Sequence, residues 1–486
     1  MKLYLPIIVS CLLVLNLMNC QSTPKLGADA ISQWQESPAG KKMNEYLAAQ
    51  VEKGYSGAVL VVKNGEILHH AGYGLADREK AIPNSIQTVF DIGSIMKDFT
   101  DVAILQLEAA GKLSTDDPLS RFFEQIPADK AAITIHQLLR HQSGLGEYHD
   151  TEGDFERMTY EEAMKRIFAQ KLRFQPGSDQ AYSNSGFTLL AAIIEKASGE
   201  AYMDYVRKHI IDPIGLQSAA FFGERERMTL DQVAIGYDGV NAGQNNNPFH
   251  RDLPQWQIMG AGGLVLTLSD LYHFALAIRE GKLLPESGVQ KFMEVYNPAR
   301  PTDWNGPVRG LGGGSDVGFT VICLQFPEED AYVLMASNTQ KYGGFKMATP
   351  IAKILFGQEV VEEKEAPPFV AKNAAEWGLP ETVAGKQAAL YLNAICQNDP
   401  DAASAFVKTH FHPDLSKEHT EEDHINFMGM VFQEVGSQPI VKDIQNESDT
   451  TISFYLQASE GAELLKVHLG VKKDAPHQIF NILVGN

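Results

Sequence analysis

The strongest constraint on the fold of this chain is a pair of β-hairpin patterns on either side of a mostly helical stretch. The first, GAVLVVKNGEILHHAGYG, has two β-rich runs around Asn64-Gly65, a dipeptide that accepts the positive φ of a tight turn. In the second, VGFTVICLQF and AYVLMASN flank a turn at residues 327–330. One antiparallel sheet with an all-helical insertion explains this order. The sequence therefore predicts an α/β (α+β) fold in which helices flank that sheet.

Four further segments are predicted around this main domain, which we place at residues 36–360. Residues 1–20 combine a positive charge, an apolar run and a cysteine, which is typical of a signal peptide. The polar residues 21–35 predict a tether. The stretch EEKEAPPF is charged and contains two prolines, so a linker is predicted at 361–370. A helix and alternating strands beyond it predict a small C-terminal α+β domain at 371–486.

The cysteine at the end of the first segment predicts how the protein is held at a membrane. LMNC resembles the box at which bacterial lipoproteins are lipidated, with Leu17 three residues before Cys20. Asn19 departs from the small residue usual there. We expect an exported, membrane-anchored lipoprotein of a bacterial periplasm or cell envelope, with plain secretion as the alternative. The sequence indicates neither which membrane holds it nor its oligomeric state.

Charge and cysteine content exclude several function classes. The 486 residues carry a net charge of −20, whereas a nucleic-acid-binding surface needs a basic excess. The four cysteines are too dispersed for a disulfide framework or a metal cluster. We therefore expect a small-molecule or short-peptide substrate, and neither nucleic acid, metal nor cofactor.

A serine and a lysine at helical spacing are the first candidate catalytic pair. In FDIGSIMKDF, Ser94 stands three residues before Lys97, at the predicted start of a helix that runs to Gly111. Residues i and i+3 are neighbours on a helix, so the lysine amine can reach the serine hydroxyl and take its proton. Burial and the positive helix end both favour the neutral amine. The Ser94 N–H, at the same end, can serve as an oxyanion donor.

A tyrosine and an asparagine two residues apart form the second candidate motif. In QPGSDQAYSNSGFTLL, Tyr182 and Asn184 follow a Pro-Gly turn and precede an apolar helix. Because residues i and i+2 of an extended segment point the same way, both side chains can project into one cleft. The tyrosine would then shuttle protons and the asparagine would donate to the substrate. Each motif is weak alone, but the ordered pair, each beside a helix start, is far more specific.

With these motifs in this order, the chain resembles the serine β-lactamase-related hydrolases. This family includes class C β-lactamases, D-alanyl-D-alanine carboxypeptidases, D-aminopeptidases and related esterases. The resemblance runs from about Tyr55 to Leu355 and includes GKLSTDDPLSRF, ITIHQLLRHQSGL and GAGGLVLTLSDLYHFALAI. It implies a β-lactamase/transpeptidase-like fold and acylation of Ser94. It also implies that Lys97 and Tyr182 share proton transfer, and that the Asn184 side chain binds the substrate amide.

The third motif of the family departs from its usual form here. The family places Lys or His, then a small residue and Gly, on the strand beside the serine. The corresponding stretch is RGLGGGSDVGF, which begins at Arg309. Counting back from its final GF puts Gly312 at the basic position, and counting forward from its first glycine puts Leu311 there. Neither side chain can carry charge.

The glycine-rich edge can still bind substrate through its backbone. The candidate substrate-binding residues along it are Gly312, Gly313, Gly314 and Ser315. Depending on the alignment, Gly314 or Ser315 would supply a backbone N–H to the reacting carbonyl, which requires only an amide and close approach.

The missing cation affects both the tyrosine and the substrate. A phenol titrates near pH 10, and positive charge nearby lowers that pKa. Lys97 could do this alone, or Arg309 could help from the same strand face; in that case Arg309→Ala should slow acylation of Ser94. The alternative is a solvated surface arginine. Because the family's cation commonly meets a substrate carboxylate, we expect a neutral ester or a D-amino-acid amide rather than a penicillin or a D-Ala-D-Ala terminus.

Two interpretations of function remain open. The first is a serine hydrolase that forms an acyl-enzyme on an ester or amide, with D-amino-acid peptides and β-lactams included. The alternative is a catalytically impaired binding protein of the same fold, which holds a cell-wall peptide or small ligand. The histidines near the predicted cleft, His136, His141 and His149, are expected to be structural. The C-terminal domain weakly resembles NTF2-like folds, and ligand binding, dimerisation and a spacer role all stay open.

Overall fold

The computed structural model describes most of the chain. The described residues are 37–151, 156–224, 226–227, 230–237, 256–302, 306–339, 344–360, 370–397, 399–413, 415, 421–458, 464–473 and 478–485. They form two compact units that divide between residues 360 and 361. The predicted signal peptide, the tether, Cys20 and all but the last residue of the predicted linker lie outside the described residues.

The first unit contains ten helices and ten strands among its described residues. Its helices are α1 Pro38–Glu52, α2 Met96–Ala109, α3 Ile135–Leu139, α4 Tyr160–Ala169, α5 Asn184–Ser198, α6 Tyr202–Val206, α7 Asp212–Ile214, α8 Leu268–Arg279, α9 Glu286–Lys291 and α10 Phe345–Leu355. Its strands are β1 Gly57–Lys63, β2 Glu66–Tyr73, β3 Leu75–Asp77, β4 Ile82–Pro83, β5 Phe90–Asp91, β6 Ala220–Phe221, β7 Leu264–Leu266, β8 Arg309–Gly314, β9 Thr320–Phe326 and β10 Ala331–Ser337. Single turns of 3₁₀-helix or π-helix lie at Gly93–Ile95, Leu119–Arg121, Arg207–Ile211, Leu230–Gln232, Phe292–Tyr296 and Pro327–Glu329.

The two predicted hairpins form one sheet, as expected. Its strand order is β2-β1-β10-β9-β8, and every neighbouring pair is antiparallel. Asn64 and Gly65 turn between β1 and β2 with φ of 52° and 74°. The first and last strands of the domain meet at the register pair Gly57 and Ser337. This pairing brings the chain back beside its own start after the insertion and leaves β8 at one edge of the sheet.

Among the described residues between the two hairpins, helices are the main regular structure, and five short strands accompany them. The strands β3 to β7 make two small sheets of their own, and at two or three residues each they are too short to show a period of two. The last of them, β7, ends just before α8, and the cap of that helix is Thr267, whose side chain accepts from the Asp270 N–H.

Helix α2 runs through the centre of the first unit. Ten of its fourteen residues are buried, including the polar Lys97, Thr100 and Asp101, so the helix is enclosed on nearly every side. The rings of Phe99 on α2 and Phe274 on α8 stack with their centroids 3.7 Å apart. Helix α5 packs on α2 as well. This enclosure fixes the N-terminal end of α2, where Ser94 and Lys97 lie.

The second unit is α+β, as the sequence predicts. Three helices, α11 Val383–Gln397, α12 Pro400–His410 and α13 Glu421–Val435, precede four strands, β11 Ile440–Ser448, β12 Thr451–Gln457, β13 Leu465–Val471 and β14 Ile479–Gly485. The strands form an antiparallel sheet in sequence order. Alternate residues of β12, including Ile452 and Phe454, enter an apolar core shared with α11. Among the described residues of either unit, no helix is long and apolar enough to cross a membrane.

Candidate active site

Ser94 lies in a tight turn just before α2 rather than inside the helix. It is the middle residue of the 3₁₀ turn Gly93–Ile95, and Gly93 has φ of +50°. The Gly93 N–H donates to Asp91 Oδ1 over 2.9 Å. Burial raises the pKa of Asp91 to about 6, against the hydrogen bonds from Gly93 and the Ser315 side chain. The buried carboxyl group of Asp91 therefore stabilises the turn, and the Ser94 hydroxyl faces the cleft.

Three predicted site residues come together at the Ser94 hydroxyl. Tyr182 Oη donates to Ser94 Oγ over 2.6 Å, and Lys97 Nζ donates to the same oxygen over 3.1 Å. Lys97 Nζ also donates to the carbonyl of Ala261 over 3.0 Å. The neighbouring backbone is fixed in turn by Thr100, whose hydroxyl donates to the Gly260 carbonyl over 2.7 Å. Two groups able to exchange protons thus contact one hydroxyl, as nucleophilic catalysis requires.

The surroundings of the lysine are mostly aromatic and neutral. Lys97 Nζ lies 4.8 Å from the ring centroid of Tyr182 and 5.5 Å from that of Phe187. In the described part of the chain no carboxylate is within ion-pair distance of this amine. Burial raises the pKa of Asp98, the next residue, to about 7, and that of Asp101, one turn further along α2, well above its usual range. The Asp101 carboxyl therefore favours its neutral form, the pKa of the Asp98 carboxyl lies near neutral pH, and Ser94 Oγ is a hydrogen-bond partner of the amine.

The segment with Tyr182 enters α5 through a well-formed cap. Ser183 is extended, with φ of −147° and ψ of 107°, and its hydroxyl accepts from the Gly186 N–H. The Asn184 N–H donates to the Glu147 carbonyl over 2.8 Å. The side chain of Tyr182 is 41% exposed, whereas Asn184 is 7% exposed. Among the described residues the carboxamide of Asn184 has no hydrogen-bond partner, so it is available to a ligand.

The edge strand β8 approaches the serine closely at one glycine. A methyl carbon built on Gly313 would lie 1.9 Å from the Ile92 carbonyl oxygen and 3.0 Å from the Ser94 nitrogen. Only a residue without a Cβ fits there. The third motif of basic residue, small residue and glycine therefore ends at Gly313, which makes Gly312 the small residue. Leu311 then occupies the basic position, and it is 4% exposed in the main apolar core.

The hydrogen-bond pattern of β8 shows which backbone N–H points toward the cleft. The Ser315 N–H donates to the Phe319 carbonyl over 3.2 Å. Antiparallel pairs alternate in their hydrogen bonding, so the Gly314 amide points to the free edge of β8. That edge meets the serine turn, since a Cβ on Gly93 would lie 2.9 Å from the Gly314 nitrogen. Gly314, rather than Ser315, thus has its N–H beside Ser94.

Arg309 is not the solvated surface arginine that one interpretation expected. It is 9% exposed, and its guanidinium donates to the carbonyls of Asn297, over 2.7 Å, and Met293, over 3.4 Å. The residue shares a strand face with Leu311 and Gly313, as predicted. Its charge contacts one carbonyl inside the π-helical turn at Phe292–Tyr296 and one just after it, and no contact joins it to Tyr182 in the described structure. The sequence could not predict these two contacts, because the carbonyls lie more than ten residues before Arg309 and no periodic pattern connects them to it.

Of the histidines near the cleft, one contacts the tyrosine segment directly. The ring centroids of His141 and Tyr182 are 4.7 Å apart, and His141 Nδ1 accepts from the Ser183 N–H over 3.2 Å. His136 bonds the Tyr296 hydroxyl and His149 the Ser185 hydroxyl. Burial is the main cause that lowers the pKa of all three, to about 4 for His141 and His149. All three are therefore neutral at physiological pH.

Comparison with known proteins identifies the relatives of this chain. The family model described as Beta-lactamase matches residues 43–354. A Bacillus subtilis (strain 168) protein described as a penicillin-binding protein, PbpX, is 36% identical over 305 residues, which are 62% of this chain and 74% of that protein. A teichoic acid D-alanine hydrolase of Staphylococcus aureus (strain NCTC 8325 / PS 47) is 30% identical over 279 residues, which are 55% of this chain and 67% of that protein.

A solved structure supports the same fold. FmtA of Staphylococcus aureus superposes with a TM-score of 0.56 at 25% identity, and the match covers 68% of this chain and 90% of that one. The matched share is close in size to the first unit described above. The β-lactamase/transpeptidase-like fold expected from the sequence is thereby confirmed.

Proposed function

Since this chain belongs to the β-lactamase family, we propose that it is a serine hydrolase that acts through an acyl-enzyme at Ser94. The observation that carries the proposal is the double contact on Ser94 Oγ, 2.6 Å from Tyr182 Oη and 3.1 Å from Lys97 Nζ. A hydroxyl with two proton-exchanging neighbours at hydrogen-bond distance has the geometry of an activated nucleophile.

The proposed reaction has two halves. In the first, Ser94 Oγ attacks the substrate carbonyl while its proton passes to the pair Lys97 and Tyr182, which returns a proton to the leaving group. The N–H groups of Ser94 and Gly314 would receive the oxyanion, where fixed dipoles stabilise developing charge. In the second half, water attacks the acyl carbonyl and gives a proton to the same pair. The bond between the acyl carbon and Ser94 Oγ then breaks, the pair returns the proton to Ser94 Oγ, and the free acid leaves.

The proposed substrate is an ester or amide with no carboxylate near Leu311. A buried leucine offers no counter-charge to a carboxylate, and leaving a charged group unpaired there would be costly. A relative that is 30% identical is named a teichoic acid D-alanine hydrolase, and D-alanyl esters of this kind have no carboxylate on the acyl part. We therefore place D-alanyl or similar esters ahead of penicillins and D-Ala-D-Ala peptides.

Two measurements test the proposal. The first is the intact mass of the protein after exposure to a fluorophosphonate probe: wild type should gain one adduct and Ser94→Ala none. The second compares turnover of short p-nitrophenyl esters, including the D-alanyl ester, with turnover of nitrocefin. Absence of an adduct on wild type would refute the activated serine. Faster turnover of nitrocefin than of every ester would refute the substrate class.

A binding protein without turnover is the second candidate function, and Leu311 is the observation that favours it. Loss of a cation at this position could leave the cleft intact and the chemistry too slow to matter. The two candidates differ in the fate of the bound ester. A binding protein would show saturable binding without p-nitrophenol release, whereas the enzyme would release p-nitrophenol in every turnover.

We also propose that the protein is exported and held at the cell envelope through a lipid on Cys20. The proposal rests on the N-terminal sequence and on relatives described as a penicillin-binding protein and a teichoic acid D-alanine hydrolase. Metabolic labelling with an alkyne fatty acid tests it. Label should enter wild type and be absent from Cys20→Ala, and an unlabelled, freely released wild type would indicate plain secretion.

A further inference from the structure

The chain bends sharply at His141, just after α3, and this bend faces the segment that carries Tyr182. His141 has φ of +55°, a left-handed conformation that is uncommon for a residue with a side chain. Backbone strain of this kind persists only where the surroundings fix it. Here the bend turns both the carbonyl and the ring of His141 toward residues 181–183.

Two hydrogen bonds join this bend to the tyrosine segment, one on each side of Tyr182. The Ala181 N–H donates to the His141 carbonyl over 2.9 Å, and the Ser183 N–H donates to His141 Nδ1 over 3.2 Å. The residue between them is the one whose phenol contacts Ser94. Holding both neighbours fixes the direction in which the Tyr182 side chain leaves the backbone.

The imidazole also fills the space behind the phenol ring. Its centroid is 4.7 Å from the ring of Tyr182 and 5.2 Å from the ring of Phe187. Because Nδ1 accepts a hydrogen bond, the proton of the neutral ring lies on Nε2. Burial, with the positive charges of Lys97 and Arg140, lowers the pKa of His141 to about 4. The acceptor is thus preserved at physiological pH.

We propose that His141 is a positioning residue that holds Tyr182 Oη against Ser94 Oγ through the hydrogen bond that its Nδ1 accepts from the Ser183 amide. It does not touch the reacting atoms itself. The inference rests on the proposed function, in which Tyr182 transfers a proton to or from Ser94, and it adds a residue that neither motif of the site contains. Small errors in the position of such a group are costly, since a misplacement of about 1 Å can cost about 10²-fold in rate.

The test compares two substitutions that both tolerate the left-handed backbone. Asparagine adopts positive φ more readily than most residues, and its Oδ1 can replace Nδ1 as acceptor. Glycine adopts the same backbone but offers no acceptor and no ring. We expect His141→Gly to slow fluorophosphonate acylation of Ser94 by about 10- to 100-fold, part of what a positioned proton-transfer group contributes. His141→Asn should stay within about threefold of wild type, since it restores the bond that matters.

A second readout does not depend on activity. Hydrogen exchange of the peptide containing Ala181 and Ser183, followed by mass spectrometry, should be faster in His141→Gly than in wild type and close to wild type in His141→Asn. The matched control is His136→Asn, which replaces a half-buried histidine five residues earlier, on α3, that bonds Tyr296 instead. It should leave both acylation and exchange unchanged.

Each outcome decides a separate statement. Wild-type acylation and exchange in His141→Gly, or equal impairment of His141→Gly and His141→Asn, would overturn the role of His141. A wild type that does not react with the probe would overturn the proposed function, and the exchange comparison would still decide whether His141 holds the segment. If His141→Gly does not fold, the ¹⁵N spectrum of wild-type His141 decides instead: an unprotonated Nδ1 supports the inference and a protonated Nδ1 overturns it.

Discussion

Replacing Gly313 by alanine should separate strand β8 from the nucleophile while leaving the rest of the protein folded. The added methyl carbon would lie 1.9 Å from the Ile92 carbonyl oxygen, which immediately precedes the turn of Ser94. The backbone of Gly313 has no positive φ, so alanine is conformationally acceptable there. The collision is with backbone, which cannot rotate away as a side chain would.

The size of the effect follows from the required displacement. A nonbonded carbon–oxygen contact needs about 3.3 Å, so strand and turn must separate by about 1.4 Å. The Gly314 amide moves with the strand, and the Ser94 amide moves with the turn. Because oxyanion donors act only at about 2.7–3.1 Å, at least one of them is lost. We expect acylation to slow by about 10²- to 10³-fold, the cost measured when one such donor is removed.

The assay is the second-order rate of fluorophosphonate acylation, with p-nitrophenyl ester turnover measured in parallel. The comparison variant is Gly312→Ala, on the opposite face of β8, where the methyl carbon would meet only the flexible Ile322 Cδ1 at 3.2 Å. The factor by which Gly312→Ala slows acylation should be less than a tenth of the factor for Gly313→Ala. Equal rates for the two variants, or a Gly313→Ala rate within about threefold of wild type, would refute the reasoning, because the close approach would then have no role in the reaction.

Three further predictions concern proton transfer, the buried arginine and pH. Tyr182→Phe removes the hydroxyl 2.6 Å from Ser94 Oγ and should slow acylation by about 10²- to 10⁴-fold. The melting temperature should change little, since the residue is 41% exposed. A variant that is acylated at the wild-type rate would exclude the phenol from the reaction. Arg309→Ala should lower the free energy of unfolding by about 1.5–3 kcal/mol, because two carbonyls lose a charged donor, while the rate of acylation stays within about threefold of wild type. Chemical denaturation measures the first effect and the probe assay measures the second. A large loss of acylation rate with unchanged stability would instead support a role of Arg309 in proton transfer by Tyr182. Burial lowers the pKa of His70 to about 4, so the unfolded chain binds this proton at higher pH than the folded chain does, and the free energy of unfolding decreases as pH falls. Between pH 6.5 and 4 the free energy of unfolding of His70→Leu should rise relative to that of wild type by up to about 3 kcal/mol. A difference independent of pH would contradict this assignment.

The parts of the fold that the sequence predicted are those governed by local pattern. The turn at Asn64-Gly65 depends on two residues that accept positive φ, and the hairpin strands β1, β9 and β10, which are buried on both faces, follow from continuous runs of apolar and β-branched residues. The spacing of Ser94 and Lys97 placed both groups correctly for a shared hydrogen bond, although the serine lies in a 3₁₀ turn one step before the helix. Local signals of this kind need no knowledge of distant residues.

The parts that the sequence could not predict depend on contacts between distant segments. The basic position of the third motif could be counted in two ways, and only the approach of Gly313 to the Ile92 carbonyl assigns it to Leu311. Arg309 could face the cleft or solvent, and the backbone carbonyls that bind it come from another element. His141 carries no motif of its own toward Tyr182, since its φ of +55° and its bond to Ser183 exist only in the folded chain.

The family's third motif usually combines two features, a glycine that lets the strand approach the serine and a cation. In this chain Gly313 keeps the first feature, and Leu311 stands in place of the second. Close approach of the strand depends on Gly313, and an oxyanion donor depends on the Gly314 amide; neither requires a charge at position 311. The cation of the motif would act on the substrate carboxylate and on the phenol. Lys97 Nζ already lies 4.8 Å from the centre of the Tyr182 ring, so positive charge near the phenol can persist without it. Leu311 in place of the family's cation would therefore remove recognition of a carboxylate, which is why we propose an ester without a carboxylate on its acyl part, rather than an inactive cleft, as the substrate class.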